Sequence, residues 1–262
     1  MSRASTSLGF QRILFNLLSR TRFLHPIVRR LWPAVELEVG GHSLLLHPAD
    51  NSTECFMWLR GTRREAASIG RLTLLVAGKR ALILDVGANC GAYTLPLAEA
   101  AGAGSHIVAF EPNPVMAARL RRNLALNDLQ NLVEIQEISL GASDGYADLW
   151  IDERNLGFSS LHAPQASWAR ANRVPVRCLV DFLPPLGSSF DVFVIKIDIE
   201  GFEDQALGPF LESVADDGLP EAILAETTSS HLWSLDLYGL MKRRGYTPYF
   251  LGEDGNTLFL RN

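Results

Sequence analysis

The sequence predicts an α/β fold, a mostly parallel sheet flanked by helices and closed by a C-terminal antiparallel hairpin, behind a smaller N-terminal cap of helix and hairpin. Three observations predict it. Apolar runs at 81–86, 106–110, 131–136, 191–198 and 221–226 alternate with stretches of helical character, the pattern of parallel strands joined by crossover helices. A glycine-rich turn follows the first of these runs. Near the end, 246–251 and 257–261 read as strands joined only by residues 252–256. A parallel crossover takes about a dozen residues, so the last strand runs antiparallel to its neighbour.

The elements follow in order. Residues 35–39 and 42–46 flank Gly40-Gly41 and read as a β-hairpin. Residues 52–59 and 62–77 read as helices, 81–86 as the first parallel strand and 92–101, rich in alanine, as a helix. After the strand at 106–110, Asn113 and Pro114 form an N-cap and N1 pair that opens a helix to about Leu126. A third strand occupies 131–136. The stretch 138–180 is less regular, with short strands at 147–151 and 174–179 around a loop rich in Asn, Gly and Ser. Alternation then resumes with a strand at 191–198, a helix at 201–213 interrupted by Gly208-Pro209, and a strand at 221–226. A helix at 231–243 places Trp233, Leu237, Leu240 and Met241 on one face and ends in Lys242, Arg243, Arg244 and Gly245.

Composition excludes several classes. The 262 residues allow one large domain, or one domain with an appendage. With 47% hydrophobic and 20% charged residues the chain is globular rather than disordered. Three cysteines without a CxxC pair exclude a disulfide framework and a cysteine-based zinc site, and they fit a reducing, cytoplasmic setting. No apolar run reaches 18 residues. Residues 1–35 carry Arg3, Arg12, Arg20, Arg22, Arg29 and Arg30 and no acid, so the net charge of −5 leaves −5 − 6 = −11 on the remainder. An acidic body argues against nucleic-acid binding, which needs a basic footprint. The basic start is amphipathic and lacks the cleavage site of a signal peptide. Three readings stay open for it: a helix packed on the domain, a helix lying on an anionic membrane or a partner, and a targeting segment.

The chemistry concentrates in two places. The first is Asp85-Val86-Gly87-Ala88-Asn89-Cys90-Gly91, a turn between a strand and a helix, followed 20 residues past Gly91 by Glu111 at the end of the next strand. Glycines there admit positive φ and close approach of a ligand, the following helix start favours an anionic group, and an acid at that spacing can accept hydrogen bonds from ribose hydroxyls. The dinucleotide fingerprint G-x-G-x-x-G fails, because Asn89 and Ala92 stand where its second and third glycines belong. That failure and the terminal hairpin disfavour an NAD(P)-dependent oxidoreductase. Glu111 also suits a bland role, stabilising the helix opened by Asn113.

The second place is 191–200, where Lys196, Asp198 and Glu200 alternate with Ile195, Ile197 and Ile199. Period two puts the three charged residues on one strand face. A central parallel strand is normally apolar on both faces, so these charges must be paired or line a cleft. Asp198 and Glu200 are expected at the cleft beyond the strand end, with Lys196 neutralising Asp85 or Asp198. Three roles stay open for the acids: structural pairing, contact with cofactor or substrate, and a divalent-cation site. Asp198, Glu200 and Glu226 can offer oxygen ligands, but the spacing does not demand a metal and none is expected. His231 is either a general base or a solvated residue near a helix start. The remaining histidines, His162 among them, read as structural or exposed.

Asp85-Val86-Gly87-Ala88-Asn89, Phe110-Glu111-Pro112-Asn113-Pro114, Arg122-Asn123-Leu124 with Asn127, and Lys196-Ile197-Asp198-Ile199-Glu200-Gly201-Phe202-Glu203 together resemble the FkbM-type methyltransferases. The resemblance covers about 81–228, and the K-x-D-x-E-G-x-E element is its most specific part. It implies a Rossmann-like methyltransferase fold with a seven-stranded sheet, in which the terminal hairpin is a hallmark. It also implies S-adenosylmethionine as cofactor and methyl transfer to a hydroxyl of a sugar, polyketide or similar small molecule. On that footing Asp85, Gly87, Asn89 and Gly91 are expected to border the methionine part of the cofactor, Glu111 to bind its ribose and Asn113 to border that region. Asp198 and Glu200, with His231 third, are the candidates at the reaction centre. The loop Asn155-Leu156-Gly157-Phe158-Ser159-Ser160 resembles a polar family segment near the active site, and reads equally as a surface turn. Cys90 departs from the aliphatic residue more usual there. The expected division is a cap over 1–78 and a cofactor-binding domain over 79–262. A non-catalytic binding module on the same fold is the alternative.

Overall fold

The computed structural model describes residues 32–163, 169–184, 189–250 and 255–262. The basic start of the chain lies outside them. Two compact units divide between Arg64 and Glu65, fourteen residues before the boundary at 78 that the strand–helix pattern suggested, so the helix at 66–76 goes with the larger unit.

In the smaller unit, strands β1 (Val35–Val39) and β2 (His42–Leu46) pair antiparallel across Gly40 and Gly41, both at positive φ. Helix α1 (Ser52–Arg60) follows. Asn51 caps it by accepting the Glu54 N–H at 3.0 Å, and Gly61, at φ 68°, ends it. Arg63 donates from Nη1 to the Val39 carbonyl at 2.9 Å and ties the end of the unit to its hairpin.

The larger unit opens with α2 (Ala66–Val76), then β3 (Ala81–Val86), α3 (Thr94–Ala100), β4 (His106–Phe110), α4 (Pro114–Ala125) and β5 (Val133–Gln136). A second sheet interrupts the alternation: β6 (Ser139–Leu140), β7 (Gly145–Asp152), β8 (Ser159–Ser160) and β9 (Ala169–Arg177). The chain returns through β10 (Val192–Ile197), α5 (Glu203–Ser213), β11 (Ala222–Glu226), α6 (Leu237–Arg243), β12 (Tyr246–Phe250) and β13 (Asn256–Arg261).

The main sheet has seven strands in the order β12-β13-β11-β10-β3-β4-β5. Its strands run parallel except β13, which is antiparallel to both β11 and β12 and lies between them. Every residue of β3, β10 and β11 is buried, as strands covered on both faces require. One face packs Leu84, Ile195 and Ile197 against Leu207, Phe210 and Leu211 of α5 and Leu240 and Met241 of α6. Each such side chain contributes about 1.5–3 kcal/mol by leaving water.

Four elements differ from the sequence reading. Helix α5 runs unbroken through Pro209, which forgoes one backbone hydrogen bond near the middle of the helix. Gly208 is a close-packing site, where an added Cβ would lie 2.6 Å from Leu235. The helix expected from 231 begins only at Leu237, preceded by a 3₁₀ turn at Ser230–Leu232. Asp204 captures the N–H groups of Ser234 and Leu235 at 2.8 and 3.0 Å, and Asp236 caps the new start by accepting the Gly239 N–H. The strands expected at 147–151 and 174–179 are β7 and β9; both start earlier than expected, β9 ends at Arg177, and they pair antiparallel from Gly145–Asp152 against Ala169–Val176.

Among the described residues no helix is long and apolar enough to cross a membrane.

Candidate functional site

The order of the main sheet reverses between β3 and β10, since chain progression runs outward from β3 on one side and from β10 on the other. Ligands of open α/β sheets bind at such a reversal, beyond the carboxyl ends of the strands. The glycine loop leaves β3 there, Glu111 leaves β4, and the acidic segment leaves β10.

Gly87, Asn89 and Gly91 all take positive φ, at 77°, 53° and 95°. The reason at Gly87 is the neighbouring chain: an added Cβ would stand 1.9 Å from the Asp198 carbonyl oxygen. At Gly91 it would meet Leu95 and Leu120. Asn89 tolerates the left-handed region because its Oδ1 accepts the adjacent Cys90 N–H at 2.8 Å. Cys90 itself is core, at 1% exposure, and Asn123 anchors its carbonyl through Nδ2 at 2.9 Å.

Asp85 is fully buried, with Thr94 donating to Oδ2 at 2.6 Å and Lys196 Nζ 3.3 Å from Oδ1. The same ammonium donates to the Val86 and Gly87 carbonyls at 3.2 and 2.7 Å. Asp85 thus holds the loop through Lys196 from within, and its carboxylate is withdrawn from solvent. Burial alone would lower the Lys196 ammonium, but Asp85 and Asp198 hold it above its ordinary value.

Glu111 receives the Asn89 N–H on Oε2 at 2.7 Å and the Asn113 N–H on Oε1 at 2.9 Å. Burial pushes its carboxyl up to about 7 despite those two bonds. Asn113 caps α4 through Oδ1, which accepts the Val115 N–H at 3.1 Å.

The acidic segment departs from the alternating-face reading. Strand β10 stops at Ile197, and Glu200 and Gly201 turn with φ 57° and 94°. Glu203 causes the turn. Its Oε1 accepts the N–H groups of Ile199 and Gly201 at 2.8 and 3.3 Å, and its Oε2 accepts the Trp233 indole N–H at 2.9 Å. Oxygens of Asp198, Glu203 and Glu226 lie within 4.8 Å of one another, so Glu203 takes the place expected for Glu200 in the acidic trio. Glu226 also accepts the N–H groups of Thr228 and Ser229. Glu200 still feels the cluster. Burial first, then repulsion from Asp198, Glu226 and Glu203, pushes its carboxyl up to about 9. Glu226 is pushed up to about 7 by burial and by Asp198 and Glu203. Burial raises Asp198 too, with Lys196 opposing. At neutral pH Glu200 is therefore a neutral acid able to donate a hydrogen bond, beside Asp198 and Glu226. His231 is exposed on the 3₁₀ turn.

The loop 155–160 is not a free surface turn. The Leu156 carbonyl accepts from Asn113 Nδ2 at 3.0 Å and the Gly157 carbonyl from Asn89 Nδ2 at 3.3 Å. Ser159 and Leu161 line a pocket together with Gly87, Phe110, Pro112, Leu140, Ile199 and Phe202. Sequence reasoning missed Trp233 and His162, which reach the acidic segment from 30 and 39 residues away. No local pattern encodes such separations. Glu203 was visible, as the last acid of the K-x-D-x-E-G-x-E element.

The sequence matches the Methyltransferase FkbM domain over residues 85–248, more than half of the chain. It is 29% identical over 142 residues to Methyltransferase 1 of Beauveria bassiana (strain ARSEF 2860), covering 48% of this chain and 56% of that protein. The chain thus spans little more than half the length of this curated relative. Among solved structures it is similar to a methyltransferase FkbM from Methylobacillus flagellatus KT, with 17% identity, 68% of this chain, 42% of that one and a TM-score of 0.45. It is also similar to the O-methyltransferase TomG from Streptomyces achromogenes, solved in complex with SAM, with 15% identity, 80% and 87% coverage and a TM-score of 0.44.

Proposed function

Because the chain belongs to the methyltransferases that carry an FkbM domain, we propose that it transfers a methyl group from S-adenosylmethionine to a hydroxyl oxygen of a small molecule such as a sugar or polyketide-like product. The observation that carries the reading is the meeting of the left-handed Gly87–Gly91 loop, Glu111 and the acidic segment at the ends of β3, β4 and β10.

The residues suit the cofactor. Glu111 uses each oxygen for one backbone N–H, and a carboxylate oxygen has capacity for another donor, such as a ribose hydroxyl. The acids beyond β10 form a site short of positive charge, which favours a ligand bearing an ammonium and a sulfonium. Gly87, Asn89, Gly91 and Asn113 border the same region, and Asp85 acts on it through Lys196. When bound, S-adenosylmethionine supplies an electrophilic methyl group.

The chain's tasks are to orient the acceptor oxygen and to remove its proton. Asp198, beside Lys196, is the residue we assign to proton acceptance. Glu200, neutral at physiological pH, is assigned to hydrogen bonding with the acceptor, and exposed His231 is a third candidate for the proton. No metal enters this reading. Incubating the protein with a metabolite pool and isotopically labelled S-adenosylmethionine, followed by mass spectrometry, tests it. A labelled methyl ether is the expected product. Cofactor binding without any labelled product would favour a non-catalytic binding module.

A further inference from the structure

The segment Asn155–His162 touches both halves of the site. At one end it is held by the cofactor side: Asn113 Nδ2 donates to the Leu156 carbonyl at 3.0 Å, and Asn89 Nδ2 to the Gly157 carbonyl at 3.3 Å. At the other end it holds the acidic segment. Ser160 Oγ donates to the Glu200 carbonyl at 3.1 Å, and His162 Nε2 lies 3.0 Å from the Gly201 carbonyl. A carbonyl only accepts, so Nε2 carries the proton of that contact. The His162 ring meets Phe202 edge-on, with centroids 5.0 Å apart. Ser160 also takes the His162 N–H at 3.1 Å, which sets the spacing of the two donors.

The two carbonyls so engaged belong to the two residues of the acidic segment with positive φ, Glu200 at 57° and Gly201 at 94°. Glutamate has no side-chain device that eases this conformation, and a non-glycine residue persists there only when its surroundings over-determine it. Glu203 fixes the amides of the turn, and Ser160 and His162 fix its carbonyls. Both sets of contacts are needed to define the orientation of the peptides that carry Glu200.

We propose that Asn155–His162 is a clasp coupling the cofactor side to the acidic segment, with Ser160 and His162 as positioning residues that hold the Glu200–Gly201 turn. The coupling rests on the reading of Gly87–Gly91 and Glu111 as the cofactor site. A ligand that steadies Asn89 and Asn113 steadies the Leu156 and Gly157 carbonyls they hold. The clasp then steadies Ser160 and His162 on the turn. The acids are ordered when the cofactor is present, which commits the site to the acceptor only after it is loaded. Coupling of this kind is an equilibrium quantity and works in both directions.

Amide hydrogen exchange on the full-length protein tests it, with S-adenosylhomocysteine as the probe. In the wild type the probe is expected to slow exchange both in peptides covering 86–91 and in those covering 197–203, the latter by at least about fivefold, the low end of the usual coupling between sites. In S160A/H162A the slowing at 86–91 is expected to persist and that at 197–203 to fall by at least about half, the remainder coming from the direct contact of the Gly87 loop with Asp198. H162Q, whose amide nitrogen reaches the place of Nε2, is expected to retain the slowing at 197–203. If the double variant does not fold, as judged by its circular dichroism, S160A and H162A singly are expected to lose part of the distant slowing. Equal slowing at 197–203 in wild type and S160A/H162A, or in wild type and both single variants, would overturn the clasp. So would probe binding to the wild type that leaves 197–203 unchanged, with the cofactor reading intact. A wild type that does not bind the probe at all would overturn the cofactor reading and the coupling with it.

Discussion

Lys196 Nζ stands 3.3 Å from Asp85 Oδ1 across the register that pairs β10 with β3, and the same ammonium closes on the Gly87 carbonyl at 2.7 Å. Both residues are buried. Removing one partner of a buried ion pair strands the other and costs about 3–5 kcal/mol. Lys196→Met is therefore expected to lower stability by that amount in denaturant titrations. Adding Asp85→Asn is expected to recover part of the loss, because no buried charge then remains. A single Lys196→Met variant as stable as the wild type would show that the pair contributes nothing.

Glu111 joins the Asn89 and Asn113 amides and, in the proposed function, the ribose. Glu111→Ala is expected to weaken S-adenosylhomocysteine binding by about 1–3 kcal/mol, the loss for hydrogen bonds to a charged acceptor, which is roughly 5- to 150-fold in Kd. Isothermal calorimetry measures it, and NAD is expected to give no heat of binding. Tight NAD binding with no response to S-adenosylhomocysteine would reverse the assignment.

Asp198 and Glu203 are both in the acidic trio, yet their surroundings separate their roles. Glu203 is wholly committed to Ile199, Gly201 and Trp233, whereas Asp198 is partly exposed beside Lys196. Asp198→Asn is expected to lower the methyl-transfer rate constant at saturating cofactor by at least about 10²-fold, the low end for loss of an acid–base contact. Glu203→Gln is expected to act mainly on stability, because its amide N–H₂ cannot face the Ile199 and Gly201 donors and the Trp233 donor at once without opposing one of them. Combining it with Trp233→Phe, which removes the indole donor, is expected to restore part of the melting temperature. Full activity in Asp198→Asn would remove that residue from the chemistry.

The raised carboxyls make stability fall with pH. Glu111 and Glu226 titrate near 7 and Glu200 near 9 in the fold, against an ordinary 4.5. Between those values the folded chain holds protons that the unfolded chain has released. Their contribution is complete below about 4.5 and is lost as pH rises through 7 and then 9. Each such group steepens the decline by about 1.4 kcal/mol per pH unit within its own window. Chemical denaturation from pH 5 to 9 is expected to show this slope in the ligand-free protein. Glu200→Gln is expected to flatten its upper part, between about 7 and 9. An unchanged slope in that variant would place the titrating proton elsewhere.

Much of the framework was legible in one dimension because its determinants are local. The apolar runs are short and bounded, so Ala81–Val86 and Val192–Ile197 announced themselves as buried strands. Asn113-Pro114 marked a helix start because capping is a contact between near neighbours. The five-residue link before β13 forced that strand to reverse. The positive φ of Gly87, Asn89 and Gly91 was legible because a strand–turn–helix unit is itself a local object.

Tertiary structure alone decided the rest, and the reason is the same in each case. Period two carried Glu200 along the strand face only while the strand lasted, and Glu203 ended it by taking the Ile199 and Gly201 amides. The start of α6 moved to Leu237 because Asp204, 30 residues earlier, claimed the Ser234 N–H. The place of β13 between β11 and β12 was set by pairing with a strand from earlier in the chain. The choice of Asp85 over Asp198 as the ion-pair partner of Lys196 followed from the register of β3 against β10. A sequence pattern records what each residue prefers among its neighbours along the chain. Which distant carboxylate wins a given N–H, and which buried charge finds its counter-charge, depends on distances that exist only once the sheet has assembled.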